Sequence, residues 1–366
     1  MICLSRLAGR CAALRAGLVA ASLGTASLGA ASLGAAGLGA AGLGLLPMGA
    51  MAQPTAYPLS IENCGQTLRF EAAPRNVVTI GQSVTEVLYA LGVGDRMAGT
   101  SLWFNDVLPE FREQNARVPR LDNNAPSFES VIARRPGLVA TQFEWMIGAQ
   151  GVVGTREQFH ELGAPTYIMP ADCEGKNNLV GADGTRTAPF STESIYRGIA
   201  QLAAIFDRQA QGAALIADLR AREEAAVARA RGLALPDASA VFWFSSADLD
   251  LDPYVAGQKG IPGYMMRALG LRNVVQSDEE WPTVGWESIA RADPSVIVIA
   301  RMDRRRFPAD DHERKLAFLR ADPVTREMTA VRENRIVIID AHAMQATIRL
   351  VGGLEALTDA MARLRP

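Results

Sequence analysis

Aromatic and polar side chains follow predicted strands in both halves of the chain. Ligands of open α/β sheets bind beyond the carboxyl ends of the strands, so we expect these side chains to line a ligand site. Aromatic walls with a few polar groups suit a flat or apolar small molecule. An arginine in the same site can pair with an anionic group of that molecule. The predicted ligand-binding residues are Trp103, Phe104, Gln142, Phe143, Trp145, Ser245, Trp281 and Arg301.

Two carboxylates occupy corresponding positions in a repeated sequence unit. The first copy is PSFESVIARRPGLVA at residues 126–140, and the second is WPTVGWESIARADPSVIVIA at residues 281–300. In each, a glutamate in the first helical turn (Glu129 or Glu287) precedes a short amphipathic helix, a proline and a buried strand. The helix dipole alone favours an acid there by about 0.3–1 kcal/mol. The repetition predicts two similar lobes.

The order of predicted elements indicates parallel sheets. A hairpin at residues 59–70 precedes strands at 77–80, 97–102, 138–140 and 166–169, which alternate with helices. Ser83 is the expected N-cap of the first helix, with Glu86 in the capping-box position. Residues 174–189 form a loop without periodicity, and a short strand is expected at 274–275.

The middle of the chain predicts a long helix between the lobes. Residues 191–231 contain no proline and carry apolar residues at helical spacing, with a break near Asp207 or Gly212 as the alternative. The α/β pattern then restarts. The predicted fold is therefore α/β, with two Rossmann-like lobes that contain central parallel sheets and are joined by one long α-helix.

The N-terminal segment predicts export. Residues 1–52 combine early arginines, a long apolar run and an A-x-A site at Ala50-Met51-Ala52, which predicts a signal peptide cleaved after Ala52 and a periplasmic protein. The alternative is an uncleaved membrane anchor. The expected domains are an N-terminal lobe at 53–190, a linking helix at 191–235 and a C-terminal lobe at 236–366.

Composition excludes several classes of function. The net charge of −2 gives no basic excess for nucleic acid, and three scattered histidines argue against a metal site. No P-loop is present, so the chain is not expected to hydrolyse ATP itself, and any energy source is a separate ATPase. The G-x-S-x-G motif of α/β-hydrolases is also missing, which argues against a hydrolase. Cys64 and Cys173 remain after export, which predicts one disulfide, with two separate buried thiols as the alternative.

The chain resembles the substrate-binding proteins of ABC importers for iron-siderophores, haem and cobalamin, the class with a helical backbone between two α/β lobes. The resemblance is carried by APRNVVT at 73–79, EVLYALGVGD at 86–95 and WPTVGWE at 281–287, and it covers nearly all of residues 59–364. It implies a monomer with small lobe motion, no cofactor and no enzymatic activity. It also implies that Glu129 and Glu287 contact a permease dimer, which works with its ATPase.

The resemblance further implies a metal chelate as ligand. We expect a ferric siderophore, captured between the lobes. The alternatives are cobalamin or another corrinoid, and haem. A more remote alternative is an exported enzyme on the same scaffold, but no nucleophile–base pair near the predicted loops supports it.

Overall fold

The protein is described by a computed structural model that covers residues 53–181, 183–235 and 237–363. The predicted signal peptide lies outside these residues, so its cleavage stays a prediction. None of the helices in the described ranges is both long enough and apolar enough to cross a membrane.

The first lobe consists of a hairpin followed by an α/β sheet. The hairpin pairs β1 (Leu59–Asn63) with β2 (Gln66–Phe70). The sheet contains β3 (Val77–Ile80), β4 (Met97–Ser101), β5 (Arg120–Asp122), β6 (Leu138–Thr141) and β7 (Thr166–Ile168). All five are parallel, in the order β5-β4-β3-β6-β7. The connecting helices are α1 (Gln82–Ala90), α2 (Arg112–Asn115), α3 (Phe128–Ile132), α4 (Glu144–Ile147) and α5 (Arg156–Glu161).

The turn between β3 and α1 depends on a glycine. Gly81 has a φ of 127°, and a Cβ there would lie 2.4 Å from the Cβ of Gln142, so only glycine fits. Gly81 is also the N-cap of α1, with no side-chain cap. The predicted capping box of Ser83 and Glu86 is therefore wrong, because the helix begins two residues earlier, at Gln82.

Residues 174–181 and 183–190 form a strap that crosses from the first lobe to the second. The strap contains two short antiparallel strands, β8 (Lys176–Asn177) and β9 (Thr185–Arg186), where the sequence predicts only a loop. The Arg186 N–H donates to the Asp278 carbonyl (3.0 Å), and the Glu280 N–H donates to the Gly184 carbonyl (2.9 Å). The strap thus adds backbone pairing between the lobes.

A left-handed residue divides the predicted linking helix into two. Helix α6 (Glu193–Phe206) ends at Asp207, whose φ is 56°, and α7 (Gln209–Leu233) follows. This is the break that the sequence offers as an alternative at Asp207. Helix α6 buries the apolar stripe that predicts it, including Ile195, Ile199 and Leu202.

The second lobe repeats the α/β arrangement with one antiparallel edge strand. Its strands are β10 (Ser239–Ser245), β11 (Tyr254–Val255), β12 (Arg272–Asn273), β13 (Val296–Arg301) and β14 (Ile336–Asp340). The order is β11-β10-β13-β14, with β12 also on β10, and only β11 is antiparallel. The strand expected at 274–275 lies two residues earlier, as β12. The helices are α8 (Ile261–Leu269), α9 (Trp286–Ala292), α10 (His312–Ala321), α11 (Thr329–Arg332) and α12 (Leu350–Ala362).

The side chains of β13 alternate between the two faces of the second sheet, and both faces are buried. Val298 and Ala300 join the core that continues through the linking helices into the first lobe. Ile297 and Ile299 join a separate cluster on the opposite face. Successive strand residues point to opposite faces, so a continuous apolar run is the expected sequence of a strand covered on both sides. The predicted α/β fold with central parallel sheets is confirmed.

Cys64 and Cys173 form a disulfide that fastens the β1–β2 turn to the base of the strap. Their Cα atoms lie 5.7 Å apart, and the bond closes a loop of sequence separation 109. A cross-link over a long loop removes many conformations from the unfolded chain. The bond also fixes the strap at the point where it leaves the first lobe.

We predict that the Cys64→Ser/Cys173→Ser double variant loses about 2–5 kcal/mol of unfolding free energy, because the long loop is no longer closed. Urea denaturation of the exported form measures this loss. Wild-type protein treated with dithiothreitol is the matched control and should unfold with the double variant. Equal urea midpoints for the oxidised wild type and the variant would contradict the prediction.

Candidate ligand-binding site

The strand-end loops of the two lobes contact each other directly. The Asn105 amide donates to the Asp340 carboxylate (2.7 Å), and the Asp303 N–H donates to the Asn105 side-chain oxygen (2.9 Å). The Ser83 hydroxyl donates to the Ala346 carbonyl (3.1 Å). We call this set of contacts the lobe seam. Of the predicted ligand-binding residues, Phe104 belongs to it, because its carbonyl accepts from the Asp303 N–H (2.9 Å).

A buried ion pair lies within the lobe seam. Glu86 on α1 and Arg349 at the start of α12 have side chains that are 1% and 9% exposed. The Arg349 Nε–H donates to Glu86 Oε2 (2.9 Å), and its Nη1–H donates to Asp340 (2.6 Å). Burial alone would lower the pKa of Arg349, but Glu86 and Asp340 raise it above its ordinary value. The guanidinium therefore stays charged and joins both lobes.

A cavity of about 570 Å³ lies beside the seam, between the second sheet and the strap. We call it the cleft cavity. Its aromatic lining residues are Trp145, Phe244, Tyr254, Trp281 and Phe307. Its polar lining residues include Asn178, Asp183, Ser245, Arg304, Arg306 and Asp310. This volume and mixed lining suit a small organic ligand with polar substituents.

Four residues of the cleft cavity carry buried polar atoms that have no hydrogen-bond partner among the described residues. They are Trp145 Nε1, Trp281 Nε1, Arg304 Nε and Asn178 Oδ1. Buried polar groups in native proteins are almost always hydrogen-bonded, so such a concentration requires an explanation. Three of the four are donors. A ligand rich in oxygen acceptors would satisfy them.

The electrostatics of the cavity favour an anion. The Arg304 guanidinium lies 4.1 Å from the Phe104 ring centre and makes no ion pair within the described part of the chain. Burial lowers the pKa of Arg304, and nearby Asp310 opposes that effect. Asp310 is itself occupied, because it accepts from the Ser245 hydroxyl (2.6 Å) and the Arg306 N–H (2.7 Å). An anionic ligand would supply the missing counter-charge.

A buried lysine holds the strand ends behind the cavity. The Lys315 ammonium donates to the Ala300 carbonyl (3.1 Å) and to the Phe244 carbonyl, at the carboxyl ends of β13 and β10. Burial lowers the pKa of Lys315 to about 7. The lysine joins the ends of these two strands, and so it fixes the position from which Phe244 and Arg304 extend.

Of the predicted ligand-binding residues, Trp145, Ser245 and Trp281 line the cleft cavity. Phe143 is buried behind Trp145, with ring centres 5.6 Å apart. Phe104 lies in the lobe seam, where it stacks on the neutral ring of His342 at 4.7 Å, and burial holds the pKa of that histidine well below its usual range. Phe104 and Phe143 therefore support the wall and do not form it.

Trp103, Gln142 and Arg301 lie away from the cleft cavity. Trp103 packs inside the first lobe, where its Nε1–H donates to Thr100 (3.2 Å) and Arg120 covers its ring at 4.6 Å. Gln142 accepts a hydrogen bond from a backbone N–H of α1 (3.0 Å). Arg301 is exposed and lines a different cavity, of about 500 Å³, beside α7 and α12.

Several lining residues escape prediction from the sequence. Arg304 and Arg306 belong to a basic run after β13, which resembles an ordinary solvated surface. Tyr254 lies on an edge strand of only two residues. Asn178 and Asp183 belong to the strap, which has no periodic pattern. The basic run directly after a buried strand is the one sequence signal that points to this site.

The structure places Glu129 and Glu287 on exposed first turns of α3 and α9. Ser127 caps α3 by accepting from the Ser130 N–H (3.1 Å), whereas α9 has no side-chain cap. Neither carboxylate makes a hydrogen bond or an ion pair within the described ranges. Both are available to a partner.

Two α/β lobes, a linking helix pair and a cavity at the strand ends define a two-lobed ligand-binding protein. The sequence profile of the periplasmic binding protein family matches residues 77–343, so the chain belongs to that family. A relative from Bacillus subtilis, the uncharacterized ABC transporter substrate-binding lipoprotein YvrC, is 22% identical over 83% of this chain and 86% of its own length.

Solved structures share the fold. The Fe3+-hydroxamate transport system protein of Saccharomonospora viridis has a TM-score of 0.66 and 24% identity, over 83% of this chain and 99% of that chain. A periplasmic heme binding protein of Pseudomonas aeruginosa has a TM-score of 0.61 and 20% identity, over 79% of this chain and 93% of that chain. At these identities the similarity concerns the fold.

We predict that Arg349→Met lowers the unfolding free energy by about 3–5 kcal/mol, because it leaves the Glu86 carboxylate buried without its counter-ion. Adding Glu86→Gln should restore part of the loss, as measured by urea denaturation. The exposed pair of Arg229 and Asp359 is the control, where Arg229→Met should cost at most about 1 kcal/mol. Equal losses at the two arginines would show that the seam pair contributes no more than a surface pair.

Proposed function

We propose that this protein binds an anionic ferric siderophore in the cleft cavity and delivers it to an ABC importer. The observation that carries the proposal is the group of unpartnered buried donors on Trp145, Trp281 and Arg304. Catecholate and hydroxamate chelates present oxygen atoms around a metal that the chelator already coordinates. Such a ligand needs hydrogen-bond donors and aromatic walls from the protein, and no metal ligand.

Membership of the periplasmic binding protein family and similarity to YvrC support the transport role. In this proposal residues 1–52 direct export, and the folded chain works outside the cytoplasmic membrane as a monomer. A permease dimer receives the ligand, with a separate ATPase as the energy source. Glu129 and Glu287, one on each lobe, contact basic groups on the two permease halves.

Haem is the second candidate, because one observation favours it. Tyr254 lines the cleft cavity, and a tyrosine phenolate is a known axial ligand of haem iron. No histidine, methionine or cysteine of the described residues lines this cavity. A haem complex would therefore depend on Tyr254, whereas a siderophore complex would not. This difference separates the two candidates.

We predict that the mature protein binds a ferric catecholate with a dissociation constant below about 1 μM, or about −8 kcal/mol. Isothermal titration calorimetry against a ferric catecholate, a ferric hydroxamate, haem and cobalamin measures this. Arg304→Ala should weaken catecholate binding about 10–100-fold, the loss expected for a charge-assisted hydrogen bond.

Arg301→Ala is the matched control for Arg304→Ala, because Arg301 ends β13 only three positions before Arg304, but only Arg304 lines the cavity. It should leave the affinity unchanged. Tyr254→Phe should abolish haem binding if haem is the ligand and spare catecholate binding. Failure of all four ligands to bind below about 1 μM would overturn the chelate proposal.

For docking, we predict that Glu129→Ala/Glu287→Ala binds the ligand with unchanged affinity but fails to support uptake. The two carboxylates hold no other side chain in place, so folding should be preserved. Radiolabelled iron uptake in cells that express the cognate importer measures transport. Glu224→Ala, an exposed acid on α7, is the control and should transport normally. Loss of folding in the double variant would instead assign both residues to helix stabilisation.

A further inference from the structure

Three carboxylates around the strap share two cations. Lys176 pairs with Asp172 (2.7 Å), and Arg186 pairs with Glu280 (2.6 Å). All four side chains of these pairs are nearly buried, with exposures of 2–10%. Asp183 is the third carboxylate. Since each cation already has its own partner, the cluster contains no remaining positive charge for Asp183.

Asp183 is the unengaged member of this group. It makes no hydrogen bond and no ion pair within the described residues, and it lines the cleft cavity. An ionised Asp183 would place a third negative charge close to Asp172 and Glu280. Burial, with additional effects from those two carboxylates, raises the pKa of Asp183 to about 7, although Lys176 and Arg186 act in the opposite direction.

Other charged groups face the same cavity. Arg304 and Arg306 line it with Asp183, but neither forms an ion pair with that carboxylate. Asp310 also lines it and is occupied by its own hydrogen bonds. Glu279 lies next to the strap at Gly181. Among the described residues, no cation of this group forms an ion pair with Asp183.

We propose that Asp183 makes the cleft cavity selective for anionic ligands, because it binds as a neutral acid and donates a hydrogen bond to a ligand oxygen. This inference rests on the proposed function and specifies its ligand class. Ionisation of Asp183 removes the donor and adds repulsion, so affinity for an anionic chelate falls as pH rises. A cationic chelate would show the opposite dependence, because it would favour the carboxylate.

The expected change in affinity with pH follows from the fraction of Asp183 that is neutral when its pKa is about 7. If only the neutral form binds, affinity for an anionic ligand falls about tenfold from pH 6 to pH 8. The Asp183→Asn variant keeps a donor and cannot ionise. It should bind at pH 8 with the affinity that the wild type shows at pH 6.

The probe is ferric enterobactin, an anionic catecholate chelate, and calorimetry gives its affinity at pH 6, 7 and 8. Because the probe and Lys315 titrate identically in the wild type and in Asp183→Asn, the difference between the two proteins isolates Asp183. Asp250→Asn is the control, since it removes an equal charge from an exposed turn. It should retain the pH dependence of the wild type.

A second measurement needs no variant. Calorimetry at pH 7.5 in buffers of different ionisation enthalpy should show uptake of about 0.8 proton per ligand bound, the fraction of Asp183 that is ionised before binding. Ligand binding with an affinity that does not change with pH, and without uptake of protons, would overturn this inference and leave the proposed function intact. No binding by either protein at any pH would overturn both.

Discussion

The ion pair between Glu86 and Arg349 holds together the two ends of the fold. Glu86 lies on the first helix of the first sheet, and Arg349 begins the last helix of the chain. A buried carboxylate is stable only when its hydrogen-bonding capacity is filled. Glu86 meets this condition, because it also accepts from the Gln82 amide (3.1 Å) and the Leu108 N–H (3.1 Å). The bonds from Arg349 exist only when the lobes are in place.

This constraint decides where a ligand can bind. The carboxyl ends of parallel strands are the usual binding edge of an α/β sheet. Here much of that edge is already occupied by contacts such as those of Phe104 and Asn105 with the second lobe. The space that remains lies to one side, under the strap. Among the described residues, four of the buried polar atoms without a hydrogen-bond partner belong to residues that line this space.

Local patterns were sufficient to predict the buried strands β3, β4, β6 and β7, the hairpin and the two glutamate-bearing units, because strand burial depends on neighbouring residues. Glu86 shows where local reasoning ends. Its position matches a capping box, yet its carboxylate pairs with a residue 263 positions later. The sequence around Glu86 does not indicate a contact with a residue so far along the chain.

The same limit applies to the site. Arg301 is the last residue of β13 and Arg304 lies just beyond it, and the sequence favours Arg301 as the ligand contact. Which one reaches the cavity depends on how the chain turns after the strand, where the Arg304 N–H donates to Phe104 of the other lobe (3.0 Å). The strap is a second case, since β8 pairs with β9 and Thr185 also bridges to Glu279 of the second lobe, without any periodic pattern in the strap sequence.

Buried charges also limit how the lobes can move. Glu223 on α7 accepts from the hydroxyls of Thr192 (3.2 Å), Tyr196 and Tyr264, so the linking helix is joined to helices on both sides. Separating the lobes would break the seam pairs, and each uncompensated buried charge costs about 3–5 kcal/mol. The strap tip differs, because Leu179 is 69% exposed. Opening of the strap at this exposed tip breaks none of the seam pairs, so it costs less than separation of the lobes.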